Sequence, residues 1–330
     1  MTVLMPVWNA ERTLETALRS VQRQTETDFE CVVVDDGSID RSASIAADFA
    51  RADRRFRVLD RPHKGIVASL EAGLDAARSP LVARLDADDW MRRDRLAKQA
   101  SLLAADPTLQ AVGGGVRIFP RKGLRDGRRA YERWLNALDS PARIWRERFI
   151  ECPVAHPALM IRHERLTALR YRDRGWPEDY DLLLRLLRDG PVVGAVPERI
   201  LGWRDLPTRL SRTDPRCSQG RFTACRAWHL SRDFLADAPA YLLWGHGATG
   251  KALRRELEAL GHLPNAIVEV HPGRLGNEIA GAPVVPIDVL ERRPPYPLVV
   301  SVAGSTPRGE IRARLATYGF REGIDYVCAA

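Results

Sequence analysis

The sequence predicts an α/β fold with a mostly parallel sheet in the first part of the chain and a second, smaller α/β domain in the last part. Short β-branched and apolar runs alternate with amphipathic helical patterns from the first residue to about residue 105, and the alternation resumes after Pro239. Continuous apolar strands that alternate with helices are typical of a parallel sheet covered on both faces. With 330 residues, the chain is also longer than a usual single domain.

The predicted elements follow in chain order. The first three strands are TVLMPV, FECVVVD and RFRVLD, and the helices after them are TLETALRSVQRQ, SIAADFARAD and GIVASLEAGLDAAR. A fourth strand, PLVARLD, leads to an acidic turn. The pattern is less regular from Asp106 to Arg174, where a glycine run at Gly113 to Gly115 stands out. A helix over PEDYDLLLRLL then ends at Gly190, which precedes Pro191.

These patterns divide the chain into three parts. Residues 1–215 form the first domain, 216–238 a linker with a helix over about 218–236, and 239–330 the second domain. The second domain begins with the strand AYLLWGHGATG, the helix KALRRELEALG and the strand NAIVEV. Each of the two domains is long enough to bury a core of its own.

Composition narrows the class of protein. Apolar residues make up 45% and charged residues 28%, which is ordinary for a globular protein. The sequence contains no apolar run of membrane-spanning length and opens without a signal-peptide pattern, so we expect a cytoplasmic protein with possible peripheral contact at the inner face of the membrane. Five cysteines without a CxxC pair predict buried thiols.

The chain is basic, with a net charge of +8, and its arginines are densest between Arg117 and Arg148. The bias reflects either the composition of the source genome or attraction to anionic partners such as diphosphates and acidic lipids. The arginine-rich segment has neither paired zinc ligands nor a stacking-aromatic motif. We therefore exclude nucleic acid as a partner.

The acidic turn LDADDW is the sharpest chemical feature. Asp86 and Asp88 are one residue apart at the end of an apolar strand, where a turn lets both carboxylates reach one cation. Such hard oxygen ligands suit Mg²⁺ or Mn²⁺ bound together with substrate phosphates. The alternative is an acidic turn in which Asp88 or Asp89 caps the following helix.

A second acidic pair, Asp35 and Asp36, ends the second strand, and Gly37 and Ser38 then allow a tight turn. A carboxylate at this place can accept the ring N–H of a pyrimidine or ribose hydroxyls. The alternative is a solvated turn.

A third group of acids opens a helix. Glu178, Asp179 and Asp181 follow Pro177, and Trp176 offers a flat surface for a sugar ring. One of the acids could act as a general base, but acids in a first turn also complement the helix dipole. Local chemistry leaves both explanations open.

Taken in this order, the three motifs resemble family 2 glycosyltransferases of the GT-A fold over about residues 1 to 215. MPVWNAERTLETALRSVQRQT and DFECVVVDDGSIDRS resemble the opening of that family, LDADDW its DxD metal motif, and WPEDYDLLLRL its acidic base motif. The resemblance implies direct displacement with inversion at the anomeric carbon, with Mn²⁺ or Mg²⁺ as cofactor.

The resemblance also implies roles by position. Nucleotide-sugar contacts fall on Pro6, Trp8, Asp35, Asp36, Asp86 and Arg204. Asp88 is implied as the cation ligand, with Asp86 beside it, Asp179 as the catalytic base and Glu178 as the residue that orients the acceptor. Trp176 and His156 are implied near the acceptor, although a lone histidine is more often structural.

Three departures from the family pattern bear on these roles. Trp8 replaces the usual tyrosine and keeps an aromatic face, while Glu71 replaces a frequent asparagine. Asp205 stands where the family often has a histidine that contacts the diphosphate.

The second domain carries a glycine pattern between a strand and a helix. Gly245, Gly247 and Gly250 are followed about twenty residues later by Glu269 at the end of the next strand. This context resembles small Rossmann-like domains beside sugar-modifying enzymes and implies a nucleotide site with a binding, regulatory or association role. The alternative is a retained fold that binds nothing.

We therefore expect an inverting glycosyltransferase that moves a sugar from a nucleotide diphosphate donor, with UDP as the expected nucleotide, to a glycan or lipid-linked acceptor in cell-envelope polysaccharide or glycan synthesis. One alternative is a nucleotidyltransferase that makes nucleotide sugars, although PVWNAE lacks the glycine-rich phosphate loop typical of such enzymes. Another is a nucleotide- or NAD-sensing protein governed by the second domain.

Overall fold

The computed structural model describes residues 1–330, which form two compact units. Unit 1 comprises Met1–Trp145, Pro153–Arg174 and Asp181–Thr213, and unit 2 comprises Arg146–Cys152, Gly175–Tyr180 and Asp214–Ala330. None of the helices combines the length and the apolar character that crossing a bilayer requires. The domain limits drawn from the sequence stay a prediction.

The first sheet has eight strands in the order β3-β2-β1-β4-β7-β6-β8-β5. Its strands are β1 Thr2–Val7, β2 Glu30–Asp35, β3 Phe56–Asp60, β4 Leu81–Arg84, β5 Trp90–Met91, β6 Ala111–Phe119, β7 Met160–Arg162 and β8 Val193–Arg204. Strands β1 to β4 pair in parallel, β6 pairs in parallel with β8, and β7 runs antiparallel to both of its neighbours. The predicted α/β class with a mostly parallel sheet is confirmed.

The helices in this part of the chain are α1 Leu14–Gln22, α2 Ser42–Ala52, α3 Ile66–Ala76, α4 Arg95–Ala105, α5 Asp126–Asn136, α6 Pro141–Glu147, α7 His163–Leu169, α8 Glu178–Leu187 and α9 Leu210–Thr213. Helix α3 packs closely on the sheet, since a Cβ atom added at Gly73 would meet the Leu4 side chain at 2.0 Å. Almost all of the buried residues in β1 and β2 are apolar, as the continuous apolar runs of the sequence predict.

The segment that gave an irregular sequence pattern contains the long strand β6. Its glycines allow close packing: a Cβ at Gly113 would lie 2.6 Å from Val154, and one at Gly114 would lie 2.5 Å from Ile200. Because glycine has a low propensity for strands, the sequence pattern does not predict this strand. A similar close approach occurs between β5 and β8, where Gly202 pairs with Trp90 and a Cβ would overlap the indole at 2.1 Å.

The second sheet, in unit 2, has the order β11-β12-β10-β9-β13-β14. Its strands are β9 Ala240–Trp244, β10 Leu263–Val268, β11 Glu278–Ile279, β12 Ala282–Val285, β13 Leu298–Val300 and β14 Tyr326–Cys328, and its helices are α10 Gln219–Leu230, α11 Ala248–Ala259 and α12 Ser305–Thr317. All pairs except β11 with β12 are parallel. Helix α10 ends at Leu230, short of residue 236. Four cysteines are buried, whereas Cys217 is only half-buried.

A buried polar network at the start of α4 fixes the middle of the first sheet. Arg95 is fully buried and donates to the carbonyl oxygens of Pro157 (2.7 Å) and Arg84 (2.9 Å). Its Nε donates to Oε1 of Gln99 at 2.9 Å, and Gln99 Nε2 donates to the carbonyls of Val112 (2.7 Å) and Ala158 (2.8 Å). Burial lowers the pKa of Arg95 to about 9. The network connects the end of β4 and the start of β6 with the turn before β7.

This network predicts a large effect of Arg95→Met. The change removes every hydrogen bond of the guanidinium while keeping much of its volume, and it leaves buried carbonyl groups without donors. We expect the free energy of unfolding to fall by about 3 kcal/mol or more. Urea unfolding followed by circular dichroism measures it, with Arg93→Met at a neighbouring exposed position as control. Equal stability of the two variants would contradict the role given to the network.

Candidate active site

Polar residues gather where β2, β1 and β4 end at one edge of the first sheet. These strands are neighbours and parallel, so Trp8 after β1, Asp35 at the end of β2 and Asp86 after β4 leave the sheet on the same side. This is the edge at which ligands bind in open α/β sheets.

Three carboxylates of the acidic turn, Asp86, Asp88 and Asp89, form what we call the carboxylate cluster. One ligand atom of each lies within 4.8 Å of the others. Asp86 and Asp88 are partly accessible, with side chains 24% and 22% exposed, whereas Asp89 is fully buried. The sequence predicts Asp86 and Asp88 as cation ligands, whereas Asp89 is expected only as an alternative helix cap.

The helix-cap alternative for this turn is wrong. Helix α4 begins at Arg95 and is preceded by Asp94, and the short strand β5 separates it from the turn. Neither Asp88 nor Asp89 is therefore near the first turn of that helix.

Arginines surround the cluster. Arg84 donates to Oδ1 of Asp86 at 2.6 Å and also to the Leu85 carbonyl. Arg209 donates to Oδ2 of Asp86 at 3.2 Å and lies 3.7 Å from Asp88 and 3.9 Å from Asp89. The backbone N–H of Arg204 donates to Asp89 Oδ1 at 2.7 Å. Asp89 Oδ2 is buried and has no hydrogen-bond partner.

These surroundings separate the pKa values of the three acids. Burial raises the pKa of Asp88 and that of Asp89, and the negative charge of Asp86 adds to both shifts against the opposing charge of Arg209. Burial acts in the same direction on Asp86, but Arg84 and Arg209 outweigh it and hold the pKa of Asp86 below its ordinary value. Asp86 is therefore the most firmly ionised member of the cluster.

Arg204 is predicted to contact the nucleotide-sugar donor, and its side chain lies against the acidic turn. Its Nε donates to the Asp88 carbonyl oxygen at 2.7 Å, and its guanidinium lies 4.6 Å from the centroid of the Phe119 ring. Arg204 therefore braces the acidic turn. Asp205, where the family often has histidine, accepts from Arg212 at 2.7 Å.

The expected base-binding residues lie at the same edge of the sheet. Trp8 is 52% exposed and stacks on His63, with ring centroids 4.6 Å apart, while Pro6 is buried within β1. Asp35 accepts from the Ser38 hydroxyl at 2.5 Å. Trp8 is thus free to offer its other face, and contacts of these residues with a nucleotide stay predictions.

Asp36 has a clear local function. Its two oxygens accept the backbone N–H groups of Lys64 and Gly65, both at 2.9 Å, and His63 Nδ1 lies 2.8 Å from Oδ2. The carboxylate is buried and orders the loop that begins α3. No sequence pattern singles out His63, because its partners Trp8 and Asp36 are distant along the chain.

His156 lies inside unit 1. Its Nε2 is 3.1 Å from the Tyr171 hydroxyl, and only 6% of the residue is exposed. Burial and the charge of Arg84 lower the pKa of His156 to about 3, against the opposing charge of Asp86. A neutral, buried ring favours the structural alternative over the predicted acceptor contact.

The acids of the predicted base motif belong in part to unit 2, which contains Gly175–Tyr180. Glu178 is the first residue of α8, and Asp179 accepts from the Tyr180 N–H at 2.7 Å. Both acids are half-buried, and the ring centroids of Trp176 and Trp228 are 5.9 Å apart. The helix starts where the sequence predicted, and the roles of its acids stay predictions.

The glycine pattern of unit 2 forms the turn between β9 and α11. A Cβ at Gly250 would lie 2.2 Å from the Gly245 carbonyl oxygen, so glycine allows the helix to approach the turn, whereas Gly247 has open space. Beside it is a cavity of about 660 Å³ lined by His246, Gly247, Ala248, Lys251, Arg274, Asn277, Glu278 and Ile279. Glu269 does not line it but accepts from Arg274 at 3.0 Å.

Comparison with known proteins agrees with this architecture. The Bacillus subtilis (strain 168) proteins EpsH and EpsE are 36% identical over 108 residues and 30% identical over 196 residues. The matches cover 33% and 58% of this chain, but only 31% of EpsH and 67% of EpsE. The amylovoran biosynthesis glycosyltransferase AmsE of Erwinia amylovora is 28% identical over 61% of this chain and 74% of its own.

Two solved structures share the fold. S. aureus TarS 1-349 in complex with UDP-GlcNAc has a TM-score of 0.56 at 15% identity, covering 78% of this chain and 71% of its own. The mannosyltransferase PcManGT from Pyrobaculum calidifontis, in complex with GDP-Man and Mn²⁺, has a TM-score of 0.52 at 21% identity, covering 79% and 68%. At such identities the likeness establishes the fold alone, which is the predicted GT-A fold.

The family assignment rests on sequence. The pattern of Glycosyl transferase family 2 matches residues 2–168, a stretch that holds the strand ends, the loop ordered by Asp36 and the whole carboxylate cluster. The chain belongs to glycosyl transferase family 2.

Proposed function

We propose that the chain transfers a sugar from a nucleotide diphosphate donor to an acceptor hydroxyl, with inversion and with the help of a divalent cation. The observation that carries this proposal is the carboxylate cluster at the carboxyl edge of the sheet, in a chain of glycosyl transferase family 2. AmsE, a relative, is an amylovoran biosynthesis glycosyltransferase, which supports a glycan or lipid-linked acceptor in polysaccharide synthesis.

The residues fit a divalent cation. The cluster offers hard oxygen ligands, two of them accessible, and Asp89 Oδ2 is a buried oxygen without a hydrogen-bond donor. Asp86 and Asp88 would hold the ion, which we propose to be Mn²⁺ or Mg²⁺. When bound, such an ion supplies positive charge that offsets the negative charge on a departing diphosphate. PcManGT is described with Mn²⁺, which supports this choice.

The exposed ring of Trp8 offers a contact for the nucleotide of the sugar donor. Trp8 can stack on a base, because it is half exposed and its inner face is already supported by His63. We propose that Pro6, Asp35 and Asp36 surround the nucleobase and that Arg204 lies near the diphosphate. UDP is the proposed nucleotide, since TarS is described with UDP-GlcNAc.

We propose Asp179 as the base and Glu178 as the residue that orients the acceptor, with Trp176 as a surface for the acceptor sugar. The acceptor oxygen attacks the anomeric carbon opposite the diphosphate, and the carbon–oxygen bond to the diphosphate breaks with its electron pair. Asp179 takes the hydroxyl proton. A single displacement of this kind inverts the anomeric centre, and no covalent sugar–protein intermediate forms.

Unit 2 supports a second, separate proposal. Its parallel strands run in the order β12-β10-β9-β13-β14, which supports the proposal of a Rossmann-like domain, and the cavity opens at the start of α11. We propose that this cavity binds a nucleotide through the turn of Gly245, Gly247 and Gly250. Glu269 would act through Arg274, with which it is paired, so the role would be binding or regulation.

The metal assignment predicts the effect of Asp88→Asn. The amide keeps the size of the side chain but removes a charged ligand, so cation-dependent turnover should fall by about 10²-fold or more. Release of nucleoside diphosphate from UDP-glucose, UDP-GlcNAc and GDP-mannose with Mn²⁺ measures it. Asp48→Asn, on the exposed face of α2, is the matched control. Unchanged turnover of the Asp88 variant would refute the metal assignment.

A different reaction tests the nucleotidyltransferase alternative. Release of pyrophosphate from a nucleoside triphosphate and a sugar phosphate would favour that alternative.

The base assignment predicts the effect of Asp179→Asn. The Asn side-chain oxygen can still accept the Tyr180 N–H, so the start of α8 and donor binding should barely change. Loss of the proton acceptor should lower the rate of transfer by about 10² to 10⁴-fold. Thermal midpoint, nucleotide affinity and turnover are measured on one preparation, with Glu178→Gln in parallel. If only the Glu178 variant loses turnover, Glu178 is the base.

The cavity of unit 2 predicts nucleotide binding by the full chain. Calorimetry with NAD(H), UDP and UDP-GlcNAc should detect a site that Lys251→Ala weakens by about tenfold, since one charge-assisted contact to a phosphate is lost. Arg255→Ala, on an exposed part of the same helix, is the control. Binding that both variants retain would place the nucleotide elsewhere.

A further inference from the structure

Arg209 reaches into the carboxylate cluster from a different part of the chain. Its Nη2 donates to Asp86 Oδ2 at 3.2 Å, its Nε lies 3.7 Å from Asp88 Oδ2, and Nη2 lies 3.9 Å from Asp89 Oδ2. The side chain is only 9% exposed. One buried positive charge thus faces all three carboxylates.

The guanidinium fits these carboxylates poorly as a hydrogen-bond donor. Arginine binds a carboxylate best through two parallel N–H···O bonds to one group. Here only the contact with Asp86 is a hydrogen bond, the distances to Asp88 and Asp89 are too long for one, and Asp89 Oδ2 has no donor. Three converging oxygens around a single charge suit a compact cation better than a planar fork.

The segment that carries Arg209 is weakly held. In Leu206–Thr213, helix α9 has no buried residue, and Pro207, Thr208 and Leu210 are exposed. Its two arginines make the contacts that hold it. Arg209 Nη1 donates to the Arg204 carbonyl at 2.6 Å, the Arg209 guanidinium lies 5.2 Å from the centroid of the Trp203 ring, and Arg212 pairs with Asp205. Segments with few buried apolar contacts open at low free-energy cost.

From these observations we infer that Arg209 occupies the cation position in the metal-free protein, and that a divalent cation bound in the carboxylate cluster through Asp86 and Asp88 displaces it together with Leu206–Thr213. This inference rests on the proposed metal site and adds its regulation. The two positive charges compete for the same oxygens, so the cation releases the guanidinium from the cluster. Metal binding is thereby coupled to the order of the segment, and the freed arginine becomes available to the diphosphate of a donor.

The competition between Arg209 and the cation can be tested by the Mn²⁺ affinity of the full chain. Electron paramagnetic resonance measures this affinity in the absence of nucleotide. Arg209→Gln should bind Mn²⁺ at least about tenfold more tightly than the wild type, because the competing charge is gone. Arg212→Gln loosens the same segment through its pair with Asp205 but does not contact the cluster, so it should change the affinity by about fivefold or less. Equal or weaker binding by Arg209→Gln overturns the inference.

Hydrogen exchange of the wild type tests the displacement without any variant. Amides of Leu206–Thr213 should exchange faster when Mn²⁺ is added in the absence of nucleotide. Unchanged exchange at saturating Mn²⁺ overturns the inference, even if Arg209→Gln fails to fold.

Asp88→Asn separates this inference from the proposed function. If Asp88→Asn binds Mn²⁺ as tightly as the wild type, the metal site itself is wrong. If Asp88→Asn loses Mn²⁺ but Arg209→Gln does not gain affinity, the site stands and Arg209 is a permanent partner of the cluster.

Discussion

The concentration of negative charge at Asp86, Asp88 and Asp89 is the constraint around which the rest of unit 1 is organised. Three carboxylates within 4.8 Å, one of them fully buried, would repel one another and lose hydration unless positive charge faces them. Arg84 and Arg209 supply that charge, and the backbone of Arg204 supplies a further donor. A site of this kind is stable only while its counter-charges stay in place or are exchanged for others.

The position of the cluster depends in turn on Arg95 and Gln99. Their hydrogen bonds satisfy carbonyl groups at the end of β4, in β6 and before β7, where the strand direction reverses. Because each carbonyl is buried, a shift of one element would leave several donors and acceptors without partners. The polar network therefore fixes the strand from which Asp86 emerges more sharply than apolar packing could.

Much of this arrangement could be predicted, because it depends on local pattern. Apolar runs identified β1 to β4, and their parallel order places Trp8, Asp35 and Asp86 at one edge. What escaped prediction depends on distant contacts. Arg209 approaches the cluster from a segment more than a hundred residues later, and β6 is built over glycines. Asp36 is expected to contact the nucleobase. Its carboxylate accepts hydrogen bonds from the loop before α3, and no local sequence pattern reveals those partners.

The packing of Trp90 on Gly202 has a consequence for how the sequence can drift. The indole fills the space where any side chain at residue 202 would start, and Trp90 follows directly on Asp89 in the acidic turn. A bulkier residue at 202 would push the aromatic ring and, with it, the turn that carries the acids. A residue larger than glycine is therefore tolerated at 202 only together with a smaller residue at 90, and among homologues we expect the two positions to covary.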